Sequence, residues 1–187
     1  MLNREEIKEL INTHGLIKDY IDLDTQLTPN GFDLTVENIF EFEGAGAIDF
    51  SNKERKIPEG KEILPKKQDP QDKFGTSTTL ECHGERSRTI GWWNLKKGAY
   101  KIRTNETVNL PQDLIGIAFS RTSLLRMGAF TANGVWDAGF KGRSEFILVV
   151  KNPYGIKVKQ NARVAQLSFF RINKTEEGYK GIYQEHY

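Results

Sequence analysis

The chain of 187 residues has a single cysteine, Cys82, and a formal net charge of only +2. One cysteine excludes an internal disulfide framework and fits a reducing compartment. A nearly neutral chain lacks the broad basic field of general nucleic-acid-binding proteins. No apolar run reaches the roughly 18 residues that a membrane span requires. We therefore expect a cytoplasmic protein with neither a nucleic-acid partner nor a membrane partner.

The length suits one domain, because a chain of this size buries roughly 70% of its unfolded surface around a single core. We predict a single domain over residues 1–187. Its first element is a helix over residues 1–15. Asn3 can cap this helix, Glu6 follows three residues later as in a capping box, and Gly15 ends it.

Beyond Leu16 the pattern changes to short alternating segments separated by Gly, Pro and Asn, which is typical of an all-β sandwich or barrel. Gly44-Ala-Gly46 lacks the strand-to-helix context of a dinucleotide-binding fingerprint, so we predict a hairpin there. The predicted strands are residues 34–42, 47–50, 89–93, 100–103, 114–119, 146–150, 156–158 and 164–170.

Residues 51–88 form a charged insertion that three prolines interrupt. The segment offers little material for a core, so it predicts a charged surface loop. Its lysines and arginines could instead line the site of a neighbouring subunit, and the sequence leaves this open. Trp92 and Trp93, which follow the insertion, are predicted to pack in the barrel and at a subunit interface rather than to stack on a base.

The most informative stretch runs from Ser120 to Gly142. Arg121, Ser123 and Arg126 can hold phosphates, because a guanidinium presents a planar fork of donors and a hydroxyl adds one more. Asp137 lies in a glycine-rich turn, where a carboxylate can hold water and the backbone can approach a planar base. An aspartate in such a turn commonly caps its own backbone. The combination nevertheless indicates a site for a nucleoside triphosphate.

Four segments, in order along the chain, resemble the motifs of the dUTPase and dCTP deaminase superfamily. They are Thr28–Leu34 (TPNGFDL), Arg121–Gly128 (RTSLLRMG), Gly134–Gly142 (GVWDAGFKG) and Asn161–Leu167 (NARVAQL). The resemblance implies a distorted jelly-roll barrel of the β-clip type, a homotrimer, and an amino-terminal helix of the deaminase-like branch. Within that branch the chain is most similar to the archaeal-type dUTPases.

The resemblance also implies a reaction, the hydrolysis of dUTP to dUMP and pyrophosphate with Mg²⁺ bound mainly through the substrate phosphates. Asp137 would activate the water that attacks the α-phosphorus, and Phe140 would lie under the sugar and exclude a 2′-hydroxyl. Arg163 and Gln166 would brace the site, although both could be buried polar braces that never touch a ligand. The implied substrate-binding positions are Arg121, Thr122, Ser123, Arg126, Asn133, Val135, Phe140, Arg163, Gln166 and Tyr179.

The main alternative is a dCTP deaminase, or an enzyme with both activities. In the deaminase branch a glutamate ten positions after the aspartate activates water. Here that position is Ile147, or Val149 if a two-residue offset is allowed, and neither side chain can move a proton. Glu145 lies on the same strand face and would serve if the register shifted. A third alternative is a nucleotide-binding regulator without catalysis, against which the presence of Asp137 argues.

Residues 174–187 form the predicted tail. Tyr179–Gln184 is similar to the Tyr-x-Gly-x-Tyr-Gln segment that closes over nucleotide in the deaminase and bifunctional branch, whereas the glycine-rich fifth motif of animal-type dUTPases is absent. A frayed terminus is the alternative reading of this tail.

Overall fold

The structure is a computed structural model that describes residues 1–67 and 90–185. Cys82 and most of the predicted loop at residues 51–88 lie outside the described residues, as do the last two residues of the predicted tail at 174–187. None of the helices in the described part of the chain is both long and apolar enough to cross a membrane.

The first element, α1 (Arg4–His14), has the predicted caps. The Asn3 side chain accepts a hydrogen bond from the Glu6 backbone N–H (2.9 Å), and the Glu6 carboxylate accepts one from the Asn3 N–H (3.0 Å). Gly15 ends the helix with φ at 64°, in the left-handed region that glycine adopts without strain. The helix predicted over residues 1–15 is confirmed, and it packs its apolar face on the core.

The rest of the described chain consists mainly of antiparallel strands. Its elements are β1 (Ile17–Lys18), α2 (Leu23–Gln26), β2 (Leu27–Thr28), β3 (Gly31–Glu43), β4 (Glu59–Ile63), β5 (Trp92–Leu95), β6 (Gly98–Asn109), β7 (Leu114–Ser120), α3 (Thr122–Arg126), β8 (Ala129–Ala132), β9 (Lys141–Val150), β10 (Ile156–Lys159) and β11 (Arg163–Arg171). The main sheet has the order β7-β11-β3-β6-β9-β8; β1 pairs with β6, and β2 and β4 pair with β3. Strands β5 and β10 pair separately.

The two outer strands of the main sheet, β7 and β8, come together and nearly close a barrel. The hydroxyl of Ser120 at the end of β7 accepts a hydrogen bond from the Thr131 N–H (2.8 Å) and donates one to the Thr131 carbonyl (3.1 Å). Closing a sheet in this way satisfies its edges. The predicted all-β class and the distorted jelly-roll barrel with a short amino-terminal helix are confirmed.

Strand β9 has the period of two that a strand with one buried face requires. Every second residue from Gly142 to Val150 is buried, and the residues between them are half-exposed. Glu145, Ile147 and Val149 therefore share the outer face of the strand. The inner face contributes Phe146 to the core, so the register of β9 fixes which side chains remain available for a site.

Six predicted strands lie within observed ones: residues 34–42 in β3, 100–103 in β6, 114–119 in β7, 146–150 in β9, 156–158 in β10 and 164–170 in β11. The strand predicted at residues 89–93 begins only at Trp92, and Thr89 lies outside the described residues. Trp93 is buried and its indole N–H donates to the Ile63 carbonyl (2.6 Å), which confirms that it packs in the barrel.

The prediction of a strand at residues 47–50 is wrong. Only Ala47 forms a bridge, to Lys56, because the alternating apolar side chains of this segment have no sheet to cover. The predicted hairpin is confirmed, since β3 and β4 are antiparallel partners joined through this segment. The prediction that residues 51–88 form only a loop is wrong for Glu59–Ile63, which is β4. We call residues 42–58, which are the last two residues of β3 and its connection to β4, the arm.

A fully buried carboxylate, Glu106, lies in an irregularity of β6, where the pairing with β9 shifts between Arg103 and Thr107. Its two oxygens accept hydrogen bonds from the Gln26 side chain (2.7 Å) and from the Thr35 N–H (3.0 Å). Burial raises the pKa of Glu106, and the hydrogen bonds from Thr35 oppose that rise. These hydrogen bonds connect α2, β3 and β6. Burial of the carboxylate opposes this stabilisation, because it removes the charge from water.

We expect Glu106→Gln to destabilise the fold by about 1–3 kcal/mol, because an amide N–H₂ replaces an oxygen that accepts a hydrogen bond. Because the pKa of Glu106 is raised in the folded state, the folded state binds this proton more tightly than the unfolded state does. The contribution of Glu106 to the free energy of unfolding therefore falls as pH rises above 4.5, the ordinary pKa of the group. The difference in free energy of unfolding between wild type and Glu106→Gln should therefore become smaller with rising pH. Urea denaturation of both proteins at several pH values measures this difference.

Glu9→Gln makes the same change at an exposed position of α1 and is the control for the loss of a surface carboxylate. A difference in free energy of unfolding between wild type and Glu106→Gln that does not change with pH would contradict a raised pKa of Glu106 in the folded protein.

Candidate functional site

A cleft of about 480 Å³ lies beside the turn that carries Asp137. Asp137 is exposed and Phe140 is buried, so an accessible carboxylate stands next to an aromatic wall. The side chains and turn residues that line the cleft are Phe42, Ile57, Lys101, Gly134, Val135, Trp136, Asp137, Phe140, Arg143, Ser144, Glu145, Phe146, Tyr179 and Tyr183. Largely apolar walls with a few polar groups are typical of small-molecule sites.

The turn is held rigidly by Trp136. This residue bridges to Gly116 on β7 through two backbone hydrogen bonds of 2.9 Å, and its indole N–H donates to the Ser144 hydroxyl (2.8 Å). The Phe140 N–H donates to the Asp137 carbonyl (3.0 Å), which closes the turn before β9 begins. Within residues 1–67 and 90–185 the Asp137 carboxylate has no hydrogen-bond or ion-pair partner, so it does not cap its own turn.

The tail lies across the same turn. The Tyr179 N–H donates to the Ala138 carbonyl (2.8 Å), and the Tyr179 ring meets the Phe140 ring edge-on with centroids 5.6 Å apart. The Gln184 side chain makes two hydrogen bonds of 3.0 Å, donating to the Gly139 carbonyl and accepting from the Lys141 N–H. These two bonds bracket Phe140. The described part of the tail is therefore docked rather than frayed.

Glu145, the candidate deaminase glutamate, lines the cleft but is fully engaged. Arg103 donates to its Oε1 from Nε (2.9 Å) and from Nη2 (2.7 Å), and the Lys101 ammonium lies 3.2 Å from Oε2. Burial alone would raise the pKa of Glu145, but the Arg103 hydrogen bonds and the Lys101 charge hold it below its ordinary value. Ile147 and Val149 do not line the cleft.

A second group of predicted site residues gathers around Asp33 on β3. The Asp33 carboxylate is almost fully buried, and its Oδ2 lies 3.1 Å from Arg121 Nε and 3.2 Å from Arg163 Nη1. Arg163 also donates to the Thr25 carbonyl (2.7 Å). Burial raises the pKa of Asp33, and the charges of the two arginines oppose that rise.

Gln166 belongs to this second group as well. Its amide donates to the Thr28 hydroxyl (2.8 Å), which joins the first and fourth motifs. Thr122, Ser123 and Arg126 lie on α3 and are exposed. Arg163 and Gln166 are thus half-exposed and hydrogen-bonded to the first motif and its surroundings, while Thr122, Ser123 and Arg126 are exposed.

The structure therefore divides the predicted site residues. Val135, Asp137, Phe140 and Tyr179 lie together at the cleft, whereas Arg121, Thr122, Ser123, Arg126, Arg163 and Gln166 do not line it. The cleft residues that the sequence analysis did not identify include Phe42, Ile57 and Arg143. No local signal marks them, because strand pairing alone brings them to the turn.

Asn133, a further predicted site residue, does not line the cleft. Its amide N–H₂ donates to the Ala118 carbonyl on β7 (3.2 Å). Its Oδ1 is buried, and no donor among the described residues reaches it. A buried acceptor without a partner is costly, and in a native protein it commonly faces a ligand or water.

Comparisons with known proteins show which family the chain resembles. A family model described as dCTP deaminase-like matches residues 88–172. A probable deoxyuridine 5′-triphosphate nucleotidohydrolase of Methanosarcina mazei is 43% identical over 186 residues, which cover 98% of this chain and 96% of the relative. A protein of the same name from Archaeoglobus fulgidus is 40% identical over 184 residues, which cover 98% of this chain and 95% of the relative.

A solved structure supports the fold. The 2′-deoxycytidine 5′-triphosphate deaminase from Agrobacterium tumefaciens is similar with a TM-score of 0.59 at 20% sequence identity. The match covers 92% of this chain and 47% of that chain. At this level of identity the similarity shows the fold alone.

We expect Gln184→Ala to loosen the tail, because it removes both hydrogen bonds that bracket Phe140. With a net stabilisation of about 1 kcal/mol for each bond, the amides of residues 174–185 should exchange hydrogen at least about 10-fold faster. Exchange measured by mass spectrometry on the full chain reports this directly.

Lys180→Ala is the matched control, since the exposed ion pair of Lys180 with Glu177 (2.9 Å) contributes little. Equal exchange rates in wild type and Gln184→Ala would show that other contacts hold the tail.

Proposed function

Because this chain belongs to the family of deoxyuridine 5′-triphosphate nucleotidohydrolases and dCTP deaminase-like proteins, we propose that it hydrolyses dUTP to dUMP and pyrophosphate. The observation that carries the proposal is the exposed Asp137 carboxylate, which has no partner among the described residues and stands in a cleft beside Phe140. A carboxylate in this state can accept a proton from water without first breaking another bond.

In the proposed reaction, Asp137 holds the water that attacks the α-phosphorus. The water oxygen forms a bond to phosphorus, the bond from phosphorus to the bridging oxygen breaks, and pyrophosphate leaves with that oxygen. The proton of the water passes to Asp137 and then to solvent. General-base assistance of this kind contributes about 10²- to 10⁴-fold to the rate.

The expected Mg²⁺ fits this chemistry as a partner of the substrate phosphates. In the described part of the chain no group of three or more His, Cys, Asp or Glu side chains could hold a metal by itself. Such an ion would take most of its oxygen ligands from phosphate and water, which leaves the Asp137 carboxylate to hold the attacking water. When bound, the ion would neutralise phosphate charge and align the leaving group.

The cleft holds the nucleoside end of the substrate in this proposal. Backbone groups of the turn at residues 133–136 would read the base edge, although the N–H and carbonyl of Trp136 are already bonded to Gly116. Phe140, fixed by the Tyr179 ring and by Gln184, would pack against the sugar and leave no room for a 2′-hydroxyl.

The triphosphate requires cations that this cleft does not supply freely. Lys101 is paired with Glu145, and Arg143 lies 2.6 Å from the Glu37 carboxylate. The exposed Ser123 and Arg126 of α3 do not line the cleft of their own chain. We therefore propose a homotrimer in which α3 of one subunit binds the phosphates of a nucleotide held at Asp137 of its neighbour.

Deamination of dCTP is the second candidate, favoured by the family model and by the fold of the deaminase structure. The engaged state of Glu145 argues against it, because both carboxylate oxygens are occupied by cations and the pKa lies below its ordinary value. A base for water activation needs the opposite environment. A regulator that binds nucleotide without turnover is the third candidate.

We expect wild-type protein with Mg²⁺ to release dUMP from dUTP and to leave dCTP unchanged, as measured by anion-exchange separation of the products. Asp137→Asn should lower the turnover by about 10²- to 10⁴-fold, because an amide cannot accept the proton. Binding of dUTP to this variant, measured by calorimetry, should persist.

Conversion of dCTP to dUTP or dUMP would assign the deaminase reaction instead. Binding without any product would favour the regulator. Nearly normal turnover by Asp137→Asn would remove this residue from the role of base.

Shared sites predict complementation between two inactive variants, Asp137→Asn and Arg126→Ala. Unfolding the two together and refolding them should restore about one quarter of the wild-type activity, because each shared site draws its two residues at random from the two chains. Each variant refolded alone is the control. Failure of the mixture to regain activity, with trimers confirmed by light scattering, would place both residues in the same subunit.

A further inference from the structure

The arm carries four large apolar side chains that are exposed to different degrees. Phe42 and Ile57, at its base, are 41% and 48% exposed, whereas Ile48 and Phe50, near its tip, are 85% and 105% exposed. Isolated exposed apolar residues are common on protein surfaces and need no explanation. The two at the base differ from the two at the tip because they line the cleft that contains Asp137.

The position of the base of the arm is fixed by strand pairing. Phe42 is paired with Gly60 in the β3–β4 ladder, and the Ala47–Lys56 bridge holds the hairpin together through two hydrogen bonds of 2.9 Å. The Phe42 and Ile57 side chains thus form a defined wall, which we call the arm wall. The other walls of the cleft include the rings of Phe140 and Tyr179.

The chemistry of the cleft selects what this wall can contact. Contact with two apolar side chains contributes no favourable binding free energy for a charged phosphate. The face of a planar base, in contrast, is stabilised there by burial of apolar surface and by stacking. Asp137 is assigned to the α-phosphate, so the phosphates extend away from the nucleoside that fills the cleft. The polar edge of the base is left to the backbone of the turn, and its faces remain to be covered.

We propose that Phe42 and Ile57 bind the nucleoside part of the substrate and cover one face of its pyrimidine ring. The arm is then a part of the binding site that sets affinity for the nucleoside without taking part in proton transfer. Because the arm wall and Asp137 line the same cleft of one chain, this role does not depend on the subunit arrangement. The inference rests on the proposed dUTP hydrolysis and deepens it.

The test is steady-state kinetics of the full-length protein with dUTP and Mg²⁺. Phe42→Ala should raise KM about 10-fold, because stacking on an aromatic ring contributes roughly this much to binding a base. Ile57→Ala should raise KM about threefold, given its smaller apolar area. In both variants kcat should change by less than about twofold, since neither residue touches the reacting atoms.

Ile48→Ala and Phe50→Ala are the matched controls, because they remove apolar side chains from the same arm outside the cleft. Both should keep the wild-type KM. Inorganic triphosphate, which lacks a nucleoside, should inhibit wild type and Phe42→Ala equally. If triphosphate inhibition of Phe42→Ala weakened as much as KM for dUTP rose, the variant would distort the whole site. This result would overturn the proposal.

An unchanged KM in Phe42→Ala and Ile57→Ala would also overturn it, as would equal changes in the base and tip variants. These results differ from failure of the proposed function, in which wild-type protein would not turn over dUTP. In that case calorimetric binding of dUTP to wild type, Phe42→Ala and Phe50→Ala decides the proposal: weaker binding by Phe42→Ala alone supports it, and any other pattern overturns it.

Discussion

The buried carboxylate of Asp33 is the interaction on which the arrangement of the first, second and fourth motifs depends. It accepts from Arg121 and Arg163 on one oxygen, at 3.1 and 3.2 Å, and so joins β3 to the segments that follow β7 and begin β11. A carboxylate this deeply buried is tolerated only because two cations oppose the cost of its desolvation. Removing both arginines would leave an uncompensated charge in the interior. The start of α3 is thereby fixed to the barrel.

The alternation of inward and outward residues along β9 connects the barrel core to the cleft. Its inward residues enter the core, and one of them, Ser144, accepts the hydrogen bond from Trp136 that holds the Asp137 turn. Its outward residues face the cations of β6, where Lys101 and Arg103 engage Glu145. The same strand thus orients the turn that carries Asp137 and places Glu145 against the cations of β6.

Much of the fold could be predicted from the sequence, because the signals are local. The caps at Asn3 and Gly15 are sufficient to place α1, and alternation is sufficient to place most strands. The error at residues 47–50 has a physical cause: alternation shows that a segment can form a strand but not that a partner exists. Ile48 and Phe50 consequently alternate with no sheet to cover.

Less of the site could be predicted, because its contacts join distant parts of the chain. The resemblance places Arg121 at the phosphates, and the structure shows that its guanidinium is already paired with Asp33. Glu145 would reach the position of the deaminase glutamate only with a register shift, and the pairing of β9 with β6 is needed to show that Arg103 is bonded to it. Glu106 has no sequence signal at all, since a carboxylate at the core is evident only from strand register.

The distribution of charge in the cleft supports the proposal that the cleft and α3 bind different ends of a nucleotide. Arg143 and Lys101 are each matched by a carboxylate, so the cleft of one chain presents little free positive charge. Its walls are the aromatic rings of Phe140 and Tyr179 opposite an exposed acid, which suits a nucleoside and a reacting water. A triphosphate held there must find its cations elsewhere, and the exposed face of α3 offers Ser123 and Arg126. The separation of the two groups within one chain is therefore what a site shared between subunits requires, because neither group can bind the whole substrate alone.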